Sequence, residues 1–224
     1  MKYQTFYKRH LPHYQQPGDT FFVTFRLAGS LPLKVIMQLK EERAEKLKYL
    51  STIKNDKRKY REYREHQFTY FEKYDFFLEK YTESPHWLGE SNIAAIVREA
   101  IHFYDNKEYN LICYCIMPNH VHLVVKPIVE ENPGIVEDET DDGFAKNYLL
   151  TKILQKLKRY TSLKCNKLLY RSGAFWQHES YDHTVRNNEE LNRIIEYVLN
   201  NPVKAGLVDE WDRWEWSYCK YEIG

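Results

Sequence analysis

Residues 117–125 read MPNHVHLVV, and their alternation decides the fold. Successive side chains of a strand point to opposite faces, so His120 and His122 share one face while Val121, Leu123 and Val125 share the other. Pro118 and Asn119 supply a tight turn before the first histidine, and Tyr109 to Met117 is a second strand-like run. Together they predict a β-hairpin of Tyr109–Met117 and His120–Lys126. A strand with one apolar face needs a covering layer, and the flanking sequence provides candidates on both sides.

Upstream, TFFVTFRL at 20–27 follows Pro17 and Gly18 and predicts a first strand. Residues 34–106 read mainly as helix. Within them Glu41 to Lys80 is charge-dense and tyrosine-rich with no Gly or Pro, which marks long helices inserted into a smaller fold. That insertion reads equally as a solvated hairpin with an aromatic seam or as a DNA-contacting arm. Downstream, residues 147–165 predict a helix whose Leu150, Ile153, Leu154 and Leu157 follow i, i+3, i+4, i+7 spacing. A short strand follows around Ala174 to His183. A last helix begins near Asn187, where Asn187 and Glu190 have capping-box spacing, and is expected to stop at Pro202. Strand, helix, strand, strand, helix, strand and an extra helix is the order of an α+β, ferredoxin-like split βαβ sandwich. The expected organisation is one domain, 1–224, with the helical insertion at about 41–80 and an acidic loop at about 129–143.

Composition sets limits on function. With 43% hydrophobic, 16% aromatic and 29% charged residues, the chain suits a folded, soluble protein. No apolar run approaches a membrane span and the start MKYQTFYKRH lacks a signal peptide's apolar stretch, so a cytoplasmic location and no membrane partner are expected. Four cysteines show neither CxxC pairing nor the density of a disulfide scaffold. The net charge of +1 conceals a local asymmetry. Lys146 to Arg171 holds eight basic residues and no acidic one, whereas Glu130 to Asp142 holds seven acidic residues and no basic one. On the helix over 147–165, Lys152, Lys156 and Arg159 fall opposite the apolar stripe.

Two imidazoles on one strand face can share a divalent ion. An isolated HxH is more often a pair of structural histidines, so the case depends on what else approaches. On the last helix, Leu191, Ile194, Ile195, Val198 and Leu199 form the docking stripe. Tyr197 lies roughly 130° from its centre, with Asn201 one turn further along the same side. An amphipathic tyrosine at a core margin is an ordinary alternative.

These residues carry a resemblance. MPNHVHLVV resembles the His-hydrophobic-His (HUH) motif of single-tyrosine transposases, and GAFWQHESYDHTVR (173–186) with EYVLNNPVKAGLV (196–208) is similar to their REP-associated (repetitive extragenic palindrome) branch. RHLPHYQQPGDTFFVTFRLAGSLP and LKRYTSLKCNKLLYRSG are also similar to that branch, while the 41–80 insertion and the acidic loop depart from its compact members. The resemblance implies an HUH endonuclease core in which His120, His122 and Asn201 hold Mg²⁺ or Mn²⁺ and Tyr197, on the extra C-terminal helix, is the nucleophile. It further implies cleavage and rejoining of single-stranded or hairpin DNA, repetitive extragenic palindromes included, through a 5′-phosphotyrosine, by a monomer or a homodimer. Lys152, Lys156, Lys158 and Arg159 are the expected phosphate contacts. His178, Glu179 and His183 are secondary candidates, read first as strand residues near the site.

Other readings differ by class. A non-catalytic nucleic-acid-binding module would use the same sheet with structural histidines and would need no metal. A nucleotide hydrolase with an H-x-H-x-H run is disfavoured by Val124. Replication-initiating and plasmid-relaxing HUH enzymes share the chemistry, but the FWQ and NPVKAGLV blocks do not point to them.

Overall fold

Strand β3 (Thr20–Arg26) holds the centre of the fold together with β5 (His120–Pro127). The computed structural model describes residues 6–8, 12–14, 18–81, 84–129 and 149–221, so the acidic segment from Glu130 and Lys146 lie outside the described residues. The short strands β1 (Phe6–Lys8) and β2 (Pro12–Tyr14) pair with each other apart from the main sheet. Helices α1 (Leu33–Thr52), α2 (Asp56–Lys80) and α3 (Ser91–Tyr104) lead to β4 (Tyr109–Ile116). After β5 come α4 (Leu149–Leu168), β6 (Tyr181–Val185), α5 (Asn188–Lys204) and β7 (Ser217–Cys219). The main sheet runs β6-β3-β5-β4-β7 with every pairing antiparallel. Its first four strands have the neighbour order of a ferredoxin-like sandwich, and β7 extends the edge beside β4. The α+β architecture is the one expected.

Alternation divides the core between the two faces of the sheet. Val23, Phe25, Val121, Leu123 and Val125 pack against Ile93 and Val97 of α3 and Leu150, Ile153 and Leu157 of α4. The opposite face carries Phe22, Val124, Cys113 and Cys115, covered by Val35 and Leu39 of α1, Tyr70 and Phe71 of α2, and Ile194, Val198 and Leu199 of α5. Burying either face contributes on the order of 25 cal/mol per Å² of apolar surface. Helices α1 and α2, with α5, seal the face on which both histidines lie.

The charge-dense 41–80 stretch lies on α1 and α2, which residues 53–55 separate, with the Asn55 side chain accepting from Arg58 N at 2.9 Å to cap α2. Two expectations are corrected. The strand expected over 174–183 forms later, as β6. Trp176 instead packs on Phe25 and donates its indole N–H to Thr161 Oγ1 at 2.8 Å, leaving one bridge, Leu27 to Trp176. Pro202 does not stop α5, which runs to Lys204. Only the proline's own N–H is lost so near the end, and the last turn closes through Ala205 N to Asn201 O (3.0 Å) and Leu207 N to Pro202 O (2.9 Å). Gly206, at φ +67°, takes the left-handed position just past the helix.

Candidate metal centre and tyrosine site

The β3–β5 register sets Thr24 opposite His122 and Arg26 opposite His120. Both histidines are fully buried, and their Nε2 atoms stand 2.9 Å apart. The other ring nitrogen of each is held from behind. His120 Nδ1 lies 2.6 Å from Asn119 Oδ1, and Asn119 is itself oriented by its amide N–H donating to Leu78 O at 2.8 Å. An amide oxygen only accepts, so the His120 proton sits on Nδ1 and the Nε2 lone pair faces its neighbour. His122 Nδ1 contacts Thr24 Oγ1 at 2.8 Å, an arrangement that turns its Nε2 the same way. Burial, then the adjacent His122, pushes the His120 imidazolium down to about 3, which leaves a neutral donor at neutral pH.

Asp75 of α2 enters this pair from above. Its Oδ1 is 3.4 Å from His120 Nε2 and 3.3 Å from His122 Nε2, so three donor atoms from two distant elements lie within 4.8 Å of one another. Burial alone would raise the Asp75 carboxyl, but His122, His120 and the Tyr197 hydroxyl outweigh it and hold the group at about 2. Asp75 Oδ1 nevertheless has no hydrogen-bond partner, although it is buried. A buried carboxylate oxygen without a hydrogen-bond partner, facing two imidazole nitrogens, is a donor set that fits a divalent cation with mixed N and O ligands. The Asp75, His120 and His122 group can hold a metal.

Tyr197 reaches the same cluster from α5, its hydroxyl donating to Asp75 Oδ2. The ring is wedged edge-on against Phe71 (centroids 5.2 Å), His122 (6.0 Å) and Phe22 (6.3 Å), with Lys204 Nζ 4.2 Å from its centroid. Burial and then the Asp75 carboxylate raise its pKa far above that of a free phenol. Asn201, one turn on, is fully buried. Its amide N–H donates to Tyr197 O at 3.1 Å, and its Oδ1 is a second buried oxygen with no hydrogen-bond partner. The helical backbone thus keeps Asn201 beside Tyr197 despite the following proline.

Beside this cluster a groove of about 760 Å³ runs between α2 and α5, bounded by Phe68, Phe71, Arg61, Arg193, Tyr197 and Lys204. His183 lines it too, paired with Glu190 at 3.0 Å. The basic row lies elsewhere, because α4 covers the other face of the sheet. Lys152, Lys156 and Arg159 are exposed there, Lys156 pairing with Glu108. Lys158 differs. Its ammonium donates to Gln177 O (2.9 Å) and His178 O (3.2 Å), and burial, then Arg26, pushes it down to about 7, so it is the least available of the four for phosphate. Sequence reasoning missed Asp75. The one local sign is an acid embedded among aromatics, KYDFF at 73–77, in a charge-dense stretch.

A ferredoxin-like sheet bearing a buried His–His–Asp cluster with a tyrosine hydroxyl against it defines an α+β protein with a candidate metal centre. No family model matches the chain. Among curated proteins it is similar to a REP-associated tyrosine transposase named in Haemophilus influenzae (strain Rd), at 29% identity over 112 residues, 49% of this chain and 58% of that protein. It is also similar to the REP-associated tyrosine transposase of Escherichia coli K12, at 20% over 112 residues, 50% of this chain and 55% of that one. The matched stretch spans little more than half the length of these relatives. A solved structure described as a REP-associated tyrosine transposase bound to a REP hairpin aligns with 94% of this chain and 80% of its own, with a TM-score of 0.49 and 17% identity. The resemblance drawn from the sequence blocks leads to the same family name that these proteins bear. Among the described residues, no helix is long and apolar enough to cross a membrane.

Proposed function

We propose that this chain, acting as one domain, is a metal-dependent tyrosine transposase that cleaves and rejoins single-stranded or hairpin DNA. The observation that carries the reading is the meeting of Tyr197 with His120 and His122 through a shared Asp75 carboxylate. A nucleophilic side chain and a candidate metal centre in one cluster are the parts that phosphodiester transfer needs. The names of the curated relatives support DNA as the substrate.

His120 and His122 would hold Mg²⁺ or Mn²⁺, with Asn201 Oδ1 as a further oxygen donor. The bound ion would stabilise negative charge on the phosphate. Tyr197 loses its proton as its oxygen bonds to phosphorus, the bond from phosphorus to the leaving 3′ oxygen breaks, and that oxygen ends as a 3′-hydroxyl. The product is a 5′-phosphotyrosine, which an incoming 3′-hydroxyl resolves by the reverse step. No nucleotide cofactor is required, because one phosphodiester bond replaces another.

Incubation with labelled single-stranded hairpins from the flanks of the gene, with and without Mn²⁺, tests the reading. The wild type is expected to form a denaturation-resistant protein–DNA adduct only with metal, and Tyr197→Phe to form none while binding the hairpin as before. Undiminished adduct in the variant removes Tyr197 from the nucleophile's role, and hairpin binding with no cleavage under any divalent ion leaves a binding module.

A further inference from the structure

The 33–80 insertion has no place in the ferredoxin-like core, yet one of its side chains reaches the centre of the site. We infer that Asp75 completes the metal centre and positions the nucleophile, using one carboxylate oxygen for each task. The inference rests on the proposed function and adds to it a residue from outside the motifs that suggested it.

Three observations carry it. First, Asp75 is 2% exposed on a helix where its neighbours Glu72 and Phe76 are exposed, so α2 turns this one carboxylate inward. A buried carboxylate is retained only where charge or hydrogen bonds compensate its desolvation. Second, its ion-pair and hydrogen-bond contacts are the imidazoles of His120 and His122, 3.4 and 3.3 Å from Oδ1, and the Tyr197 phenol, with no lysine or arginine among them. A divalent cation held by Oδ1 and the two Nε2 atoms would supply the positive charge that a buried carboxylate calls for. Third, the two oxygens are already divided. Oδ2 accepts the Tyr197 hydroxyl, and Oδ1 faces the histidines with no hydrogen bond. A single rigid carboxylate then fixes the distance between nucleophile and ion, which is the kind of preorganisation that in-line attack rewards.

The packing shows why a helix can do this. Phe71, one turn before Asp75, sits edge-on to Phe22 (4.8 Å) and contacts Tyr197 and His122, and Tyr74 accepts from the buried Arg26 Nε at 2.5 Å. These contacts lock the register of α2 over β3 and β5. On this view the insertion is a working part of the site.

The experiment measures Mn²⁺ binding by titration calorimetry on the full chain, and hairpin affinity and adduct rate separately. Asp75→Asn preserves shape and Asp75→Ala removes the group; circular dichroism and melting establish that each is folded. Both are expected to weaken Mn²⁺ binding by about 10- to 100-fold, the range known for groups that support a metal site, or more. At saturating Mn²⁺, Asp75→Asn is expected to slow adduct formation at least tenfold while hairpin affinity stays within twofold, a split that a purely structural role would not give. Folded variants with wild-type Mn²⁺ affinity overturn the ligand role and leave the proposed function standing. Unchanged adduct rate at saturating metal overturns the positioning role. A wild type that binds no Mn²⁺, with His120→Ala/His122→Ala indistinguishable from it, brings down the proposed function itself.

Discussion

The histidines at 120 and 122 depend on what stands behind them as much as on each other. Thr24 Oγ1 lies 2.8 Å from His122 Nδ1 and is 2% exposed, so it supplies the hydrogen bond that orients that ring from the β3 side. Thr24→Val keeps the volume and the β-branched shape but leaves Nδ1 unpaired. Mn²⁺ affinity measured by calorimetry is expected to fall about 10-fold, with the fold retained. Equal affinity in the variant would show that Thr24 only packs. This dependence also explains what could be read from the sequence. The shared face of His120 and His122 follows from strand periodicity, and the placing of Tyr197 and Asn201 off the apolar stripe follows from helical periodicity. Both are local rules. Asp75 obeys no local rule, because it is buried against His122 and Tyr197, 47 and 122 positions away in the chain.

At the scale of elements, α4 and α5 are amphipathic on opposite sides of one sheet. The α5 face holds the candidate site, and the α4 face carries Lys152, Lys156 and Arg159. A strand engaged by both must wrap an edge of the sheet. If those three cations meet phosphates, each contributes roughly 0.7 to the slope of log affinity against log salt for single-stranded DNA. The triple alanine variant is therefore expected to flatten the slope by about two units, with sequence preference little changed, since backbone contacts position DNA without reading bases. Binding isotherms between 50 and 300 mM salt, on the order used for such slopes, measure it. A wild-type slope would move the DNA path to the α2–α5 groove with Arg61, Arg193 and Lys204. The apolar stripe of α4 was legible, but the fate of Lys158 was not: in a one-dimensional pattern it is one more basic residue, and only the irregular turn at Gln177–His178 captures it. The same holds for the end of α5, where the general rule for proline gave way to carbonyl bonds made beyond it.

For the whole molecule, the candidate centre couples metal binding to folding. Its donors come from α2 and β5, 45 residues apart from Asp75 to His120, and converge only when both cover the same face of the sheet. The unfolded chain retains two imidazoles in an H-x-H pair, a far weaker site, so an ion held by this centre would bind the native state preferentially. Linkage then requires stabilisation of RT ln(1 + [L]/Kd), about 2.7 kcal/mol at a hundredfold excess over Kd. For a domain of this size roughly 2–4 °C of melting temperature accompanies each kcal/mol, so saturating Mn²⁺ is expected to raise Tm by about 5–11 °C and excess chelator to reverse it. His120→Ala/His122→Ala is expected to show no such rise. The apo protein has its own reason to gain, since the ion would offset the desolvation of a buried carboxylate. Scanning calorimetry with Mn²⁺, Mg²⁺ and chelator measures these shifts. A Tm indifferent to every divalent ion would mean that the Asp75–His120–His122 cluster is held by its hydrogen bonds alone.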